Sequence, residues 1–176
     1  MHILIGIVTL LGALAVWYWR FKMAREAGGE LLDAASDLKS AVRRLKYKRK
    51  HDKHPADSID DARLAASGIA VAVATMDAPL SQAEISALSA SAQRTFNIGA
   101  GEADDIVAFG RWIADQCGTQ GEAVRRLSKA LLRTAGAEAG PDMIRMINDV
   151  ATADGRTLGE AESDAIDTVR RTLGIA

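Results

Sequence analysis

The chain has 176 residues, of which 48% are hydrophobic, 5% aromatic and 26% charged, and its formal net charge is −1. That length accommodates one globular domain of about 120 residues with an appendage. The single cysteine, Cys117, excludes an internal disulfide. The few aromatic residues, without strand-like runs of β-branched residues, favour an all-α domain.

The near-neutral total hides an uneven distribution of charge along the chain. Residues 20–53 hold eleven Lys and Arg against five Asp and Glu, a charge of +6. Residues 55–176 hold eleven Lys and Arg against eighteen Asp and Glu, a charge of −7. A basic arm therefore joins an acidic body, and this asymmetry says more about partners than the total charge does.

The first segment of the chain, residues 3–19, is uncharged and almost wholly apolar. With its flanking residues it makes a helix of about 20 residues, which spans the roughly 30 Å of a bilayer's hydrocarbon core. Trp17, Tyr18 and Trp19 end the run, where aromatic rings favour the membrane interface. Basic residues follow the run and none precedes it. The positive-inside rule then predicts a single-pass protein of a bacterial-type inner membrane, with its N-terminus outside and its body cytoplasmic.

Two other interpretations of this segment stay open, a cleaved signal peptide and a buried core helix. Ala13-Leu14-Ala15 resembles a cleavage site, but no basic residue precedes the apolar run. A helix at the edge of a core needs a polar face toward water, and this run has none. The pattern favours a transmembrane anchor over residues 1–21.

A basic helical linker is predicted for residues 22–57. One helix face carries apolar residues at steps of three and four, namely Leu31, Ala35, Leu38, Val42 and Leu45. A run of basic side chains overlaps its end, namely Arg43, Arg44, Lys46, Lys48, Arg49, Lys50 and Lys53. These basic side chains could contact anionic lipid headgroups, or they could form a solvated face of the linker; both interpretations stay open. No nucleic-acid partner is expected, because no recognised binding motif accompanies the run.

The body, residues 58–176, contains one pattern twice at an offset of 77 residues. Ala74-Thr75-Met76-Asp77 returns as Ala151-Thr152-Ala153-Asp154. Further on, Arg94-Thr95-Phe96-Asn97-Ile98 returns as Arg171-Thr172-Leu173-Gly174-Ile175. Self-similarity at a fixed spacing predicts two similar helical units that pack together.

Capping boxes, in which Ser or Thr is followed three residues later by an acid, predict where helices begin. The candidates are Ser58 with Asp61, Ser81 with Glu84, Thr119 with Glu122, and Thr157 with Glu160. Apolar stripes at helical spacing lie between these starts and are separated by Gly and Pro. The sequence therefore predicts a compact all-α bundle of six helices.

The two copies of the pattern resemble a known family. Ala153-Asp154-Gly155 after an apolar helix, with acids a few residues on, is similar to the TerB-like domain, and so is the stretch from Asp77 to Glu84. The resemblance covers about residues 58–176 and implies an all-helical fold from a family named for tellurite resistance. It also implies that metal ions bind at the two equivalent loops. Its ligands would be Asp77, Glu84, Asp154 and Glu162, with Glu160 as an alternative to Glu162.

The chemistry of these acids leaves two interpretations open. Four carboxylates gathered from symmetric loops repel one another, and a hard cation such as Ca²⁺ or Mg²⁺ relieves that repulsion with oxygen ligands. Helix capping explains Glu84 and Glu160 as well, and a turn explains Asp-Gly. The family pattern has seven residues from Asp to Glu, whereas Glu160 and Glu162 follow Asp154 by six and eight.

Motifs of catalysis do not occur in the body. His2, His51 and His54 all precede it, and no Ser/His/Asp set, Gly-rich phosphate loop or HExxH motif follows. The lone cysteine is predicted to be a small buried hydrophobic residue. The sequence therefore predicts a non-enzymatic binding or scaffolding module for an unidentified protein partner, in envelope or tellurite and metal stress response. The alternative is a metal-ion sensor that uses the acids of the two loops.

Overall fold

The computed structural model describes residues 54–175, so the predicted anchor and linker residues 22–53 lie outside the described residues. Within residues 54–175 all regular structure is helical, and no helix is long and apolar enough to cross a membrane. The α-helices in chain order are α1 (Ala62–Ala74), α2 (Gln82–Phe96), α3 (Ala100–Gln116), α4 (Gln120–Ala135), α5 (Gly140–Ala151) and α6 (Glu160–Leu173). The prediction of an all-α body with six helices is confirmed for this range.

Two of the four predicted helix starts are confirmed. The side chain of Ser81 accepts a hydrogen bond from the N–H of Glu84 at 3.2 Å, and Thr119 accepts one from Glu122 at 3.2 Å. Both hydroxyls satisfy a backbone donor that the first turn of a helix leaves without a partner.

The starts predicted at Ser58 and Thr157 are wrong. Ser58 lies in a 3₁₀ turn (Pro55–Ser58), and α1 instead begins after Asp61, whose carboxylate accepts from the N–H of Arg63 at 2.9 Å. Thr157 lies in the preceding loop, and α6 begins after Gly159. A Ser or Thr three residues before an acid thus predicts a cap only where the backbone already turns into a helix.

The repeat appears in the structure as two helical hairpins, α1–α2 and α5–α6. Each first helix ends at the residue before a threonine whose hydroxyl donates to the carbonyl four residues back, Thr75 to Val71 at 2.8 Å and Thr152 to Asn148 at 2.7 Å. Each second helix ends in a left-handed residue, Asn97 with φ 52° and Gly174 with φ 71°. The shared sequence pattern therefore encodes shared helix ends.

The central helix of the bundle is α1, whose residues from Leu64 to Ala74 are all buried. It packs most extensively against α3 and α4. The close approach to α3 requires Gly110, because a Cβ there would lie 2.9 Å from the carbonyl carbon of Ser67. The hydroxyl of Ser67 donates to the carbonyl of Ile106 at 2.9 Å, which satisfies this buried polar group.

The start of the described chain is fastened to α3 and α4. Ala56 is buried, and Nε2 of His54 lies 3.0 Å from the carbonyl oxygen of Gln116. Arg133 donates to the carbonyl oxygen of Ile59 at 2.8 Å, and Arg126 forms an ion pair with Asp57 at 3.0 Å. His54, the first described residue, therefore lies beside the end of α3.

Candidate functional site at the paired acidic loops

The two hairpins bring their connecting loops together. We call residues 75–81, between α1 and α2, the first loop, and residues 152–159, between α5 and α6, the second loop. A guanidinium nitrogen of Arg156 in the second loop lies 2.8 Å from a carboxylate oxygen of Glu84, just after the first loop. The two loops thus share one site although 72 residues separate these two side chains.

Glu84 and Glu162 occupy equivalent positions, in the first turns of α2 and α6. Their exposed fractions are 1% and 0%. Oε2 of Glu84 accepts from the N–H of Ser81 at 2.7 Å, and Oε2 of Glu162 accepts from the N–H of Gly159 at 2.8 Å. Negative charge at the start of a helix is favoured by the helix dipole. The capping interpretation is therefore confirmed for Glu84, whereas in the second copy Glu162, and not the predicted Glu160, caps the helix.

The extra residue of the second loop explains the irregular spacing. Glu84 follows Asp77 by seven residues, and its equivalent Glu162 follows Asp154 by eight. Glu160, the alternative ligand, is the exposed first residue of α6 and not the equivalent of Glu84. Of the two candidates in the second copy, Glu162 is thus the structural equivalent of Glu84.

Arg156 is the side chain that connects the acids, and the sequence patterns did not point to it. Its Nε lies 2.7 Å from Oδ2 of Asp154, and its Nη2 lies 2.8 Å from Oε1 of Glu84 and 3.8 Å from Oε1 of Glu162. It is the only basic residue in either loop, which was the one available signal. One guanidinium thus faces acids from both hairpins.

Arg156 and Asp154 shift each other's pKa values. The backbone N–H of Arg156 donates to Asp154 at 3.1 Å and, together with the guanidinium, lowers the pKa of Asp154 below its usual range against an opposing effect of burial. Hydrogen bonds with Asp154 and then Glu84 raise the pKa of the Arg156 guanidinium. Asp154 and Arg156 are therefore both charged at neutral pH.

Asp77 completes the group at its exposed edge. Its Oδ2 lies 2.7 Å from the position that a Cβ would take at Gly159, so the second loop approaches Asp77 where it carries no side chain. The structure thus gathers all four predicted ligands around the second loop. We call them the four-acid cluster, namely Asp77, Glu84, Asp154 and Glu162.

The cluster supplies the ligand type of a hard cation, but within residues 54–175 it is not arranged as a site that could hold one. Carboxylate oxygens are the ligands that Ca²⁺ and Mg²⁺ prefer. Oε1 of Glu162 is buried and accepts no hydrogen bond from any residue of the described range. As arranged, however, no three acidic, His or Cys side chains within residues 54–175 form a group that could hold a metal ion. The guanidinium of Arg156 stands where acids from the two loops meet.

A cleft of about 440 Å³ lies beside the first loop. Its lining combines apolar and charged side chains, namely Val71, Thr75, Met76, Asp77, Ala78, Pro79, Leu80, Arg111, Asp115 and Gln120. Across residues 54–175, neither Arg111 nor Asp115 has an ion-pair partner. Asp77 belongs to both the cleft and the four-acid cluster, so the two are contiguous.

His54 and Cys117 both have structural contacts in the described chain. Besides its contact with Gln116, the ring of His54 accepts from the N–H of Ala56 at 3.2 Å. Cys117 is 7% exposed, and burial raises the pKa of its thiol to about 11. The prediction that Cys117 packs as a small hydrophobic residue is confirmed.

Comparison with known proteins gives one match. The family described as tellurite resistance protein TerB matches residues 63–176. Neither the curated proteins nor the solved structures contain a match. The matched range begins in the first turn of α1 and includes both hairpins and the helices between them.

Proposed function

Because the chain belongs to the TerB family, we propose that it is a membrane-anchored, non-enzymatic binding module for a protein partner. The observation that carries this proposal is the cleft beside the first loop, which combines an apolar lining with two charged side chains, Arg111 and Asp115, that have no ion-pair partner among residues 54–175. We assign the module to envelope or tellurite and metal stress response, because the family's description names tellurite resistance.

The chemistry of the cleft suits a peptide segment of a partner protein. Met76, Pro79 and Leu80 supply apolar contact area, while Arg111 and Asp115 offer one charge of each sign. Charged groups on an interface select among partners and set its orientation. A segment with apolar residues between an acid and a base would therefore match this surface.

The apolar run of residues 3–19 supports the membrane location. A protein held by a spanning helix stays in the membrane when peripheral proteins are stripped by alkaline carbonate. We expect the full chain to remain in the pellet after such extraction. Release into the supernatant would contradict the anchor and leave the cleft proposal standing.

Site-specific photo-crosslinking in membranes tests the cleft. We would place p-benzoylphenylalanine at Leu80, which lines the cleft, and at Leu132, an exposed apolar residue on α4 outside it, as the matched control. The proposal predicts a discrete crosslinked protein from position 80 and none from position 132. Arg111→Glu should reduce the yield at position 80. Equal products from both positions, or none from position 80, would contradict the proposal.

A second candidate, a divalent-cation sensor, is favoured by the buried oxygen Oε1 of Glu162, which no described residue hydrogen-bonds. In this function the four-acid cluster would hold Ca²⁺ or Mg²⁺, and the cation would neutralise the repulsion among the acids. Because Asp77 also lines the cleft, a bound cation would change the charge that the partner meets.

Calorimetric titration of the full chain in detergent micelles with CaCl₂ and MgCl₂ tests the sensor. We expect a saturable heat that Asp77→Asn with Asp154→Asn abolishes. Asp142→Asn, an exposed acid of α5 that pairs with Arg145, is the matched control and should leave it unchanged. Heat that does not saturate in the millimolar range, or that survives the double substitution, would exclude a cation at this cluster.

A further inference from the structure

We propose that the outward side of α4 binds the anionic headgroups of phospholipids and so holds the body against the membrane surface. This side carries four basic residues and one leucine, and we call it the basic face, namely Arg125, Arg126, Lys129, Leu132 and Arg133. The inference rests on the membrane anchor of the proposed function and adds a second contact with the bilayer, one that orients the body.

The charge of α4 is opposite in sign to that of the rest of the body. The helix contains four basic residues and a single acid, Glu122. The remainder of residues 55–176 contains seven basic residues and seventeen acids. Positive charge in an acidic body is thus concentrated on one helix, and such a surface attracts an extended partner of negative charge.

Helical spacing places the exposed residues of α4 on one side. Arg125, Lys129 and Arg133 follow one another at steps of four, and Leu132 lies three residues after Lys129. All four are exposed, whereas the opposite side around Leu127 is buried in the core. Leu132 is 39% exposed and is the one exposed large apolar residue among residues 54–175. Basic side chains attract lipid headgroups, and an apolar side chain among them can enter the membrane interface.

Part of the charge on the basic face has no counter-ion in the described protein. Glu122 pairs with Arg125 at 2.7 Å and with Arg126 at 2.6 Å. Neither Lys129 nor Arg133 has an ion-pair partner among residues 54–175. Ammonium and guanidinium groups both bind phosphate through charge-assisted hydrogen bonds. Lipid phosphates therefore supply the counter-ions that these two side chains lack.

The described chain begins beside the basic face. Asp57 pairs with Arg126 at 3.0 Å, and its carbonyl oxygen accepts from Arg133 at 3.3 Å. In the sequence, the basic run of residues 43–53 directly precedes His54. Because like charges repel, this run is no counter-ion for the basic face, whereas an anionic membrane attracts both. The proposed anchor keeps a lipid surface, rather than another polyanion, within reach of α4.

The expected strength of docking follows from the number of charges. Each basic residue close to an anionic bilayer raises the ratio of docked to undocked body about fivefold. Two such residues therefore change this ratio about 25-fold. Salt shortens the screening length from about 10 Å at 0.1 M to about 3 Å at 1 M. Docking should therefore require anionic lipid and weaken as salt is added.

Photo-crosslinking to lipid tests docking on the full chain reconstituted in vesicles. We would place p-benzoylphenylalanine at Leu132 and detect lipid adducts by mass spectrometry. The vesicles contain either phosphatidylcholine alone or phosphatidylcholine mixed with anionic phosphatidylglycerol. We expect an adduct at position 132 in the mixed vesicles, and a yield about fivefold lower, or less, in phosphatidylcholine alone. Equal yields in the two lipids, or no adduct in the mixed vesicles, would overturn the proposal.

Two pairs of substitutions separate the basic face from the net charge of the protein. Arg125→Gln with Lys129→Gln removes two charges from the face and should lower the ratio of docked to undocked body about 25-fold, and the adduct yield with it. Arg170→Gln with Arg171→Gln removes two exposed charges from the last turn of α6 and is the matched control. This control should leave the yield unchanged. Equal losses from both pairs would overturn the assignment to α4.

A measurement on the unsubstituted chain keeps the test decisive if a variant does not fold. Lys129 is the only lysine after residue 53, so acylation of the body's lysine by a neutral amine reagent reports on this face. Docking predicts acylation about fivefold slower in the mixed vesicles than in phosphatidylcholine alone. Raising NaCl to about 1 M should restore the faster rate. A rate that neither lipid nor salt changes would overturn docking.

The outcomes separate docking from the anchor on which it rests. A chain that resists alkaline carbonate but forms no lipid adduct at position 132 would overturn docking and leave the anchor standing. A chain that carbonate releases, and that still forms the adduct only with phosphatidylglycerol, would overturn the anchor and support docking. Release by carbonate without any adduct would overturn both.

Discussion

The two loops occupy the same place in the two hairpins, yet they meet the four-acid cluster differently. In the first loop the helix cap is the hydroxyl of Ser81, and Asp77 has no ion-pair partner among residues 54–175. In the second loop Gly159 stands at the cap position, and Asp154 is paired with Arg156. The two loops thus share their place in the backbone fold but differ in their charged side chains.

This difference shows how an internal repeat can acquire an asymmetric site. Both copies keep the buried glutamate that caps the second helix, because each hairpin needs that helix start. The second loop is one residue longer and contains a basic side chain, and that side chain reaches across to the other copy. The following predictions test how unequal the two loops are.

Removing the two equivalent glutamates should have unequal effects on stability. Glu84→Ala deletes both a cap and a short ion pair with Arg156, so we expect it to lower the free energy of unfolding by about 2–4 kcal/mol. Glu162→Ala deletes a cap but no short ion pair, and we expect a loss of about 1–2 kcal/mol. Denaturant unfolding of the full chain in detergent micelles measures both. Equal losses would mean that the Glu84–Arg156 contact contributes nothing.

Exchanging the cap residue of α2 for that of α6 tests the same comparison, with a smaller expected effect on stability. Ser81→Ala should cost about 1 kcal/mol, because it removes the acceptor for the N–H of Glu84. Ser81→Gly gives the first loop the cap residue of the second, and we expect a loss of only a few tenths of a kcal/mol. The midpoint of thermal unfolding ranks the two variants. A glycine variant less stable than the alanine variant would show that the two caps are not interchangeable.

The smallest expected effect is on the ionisation of Asp154. Its pKa lies below the usual 3.8 in the folded protein, so the stability that it contributes is present above that value and is lost as pH falls through the lower folded pKa. Arg156→Met removes the guanidinium but keeps the backbone N–H, which is the larger cause. We expect the pKa of Asp154 to rise part of the way toward 3.8, as carboxyl ¹³C NMR titration would show. An unchanged pKa would show that the guanidinium of Arg156 does not lie beside the carboxylate of Asp154.

The parts of the structure that depend on neighbouring residues could be predicted from the sequence. The hairpin ends follow from local patterns, since Thr75 and Thr152 close helices within their own turns. The cap of Ser81 with Glu84 is equally local, and the sequence predicted both of its partners. Apolar periodicity was enough to predict the six helices, because burial of one face is what stabilises them.

Contacts between distant parts of the chain could not be predicted in this way. In the sequence, Arg156 has the pattern of an ordinary polar loop residue. Only the packing of the two hairpins places it beside Glu84. The starts at Ser58 and Thr157 were predicted wrongly, because a four-residue motif carries no information about the turn before it. The choice between Glu160 and Glu162 depended on loop length, which showed only in the folded hairpin.

A double-mutant cycle between Glu84 and Arg156 tests most directly whether one guanidinium joins the two loops. The cycle compares the free energy of unfolding of the full chain with those of Glu84→Gln, Arg156→Met and the double variant. The contact at 2.8 Å predicts a coupling energy of about 1–3 kcal/mol, with the double variant less destabilised than the sum of the single variants. Additive effects, with a coupling below about 0.3 kcal/mol, would contradict a shared site.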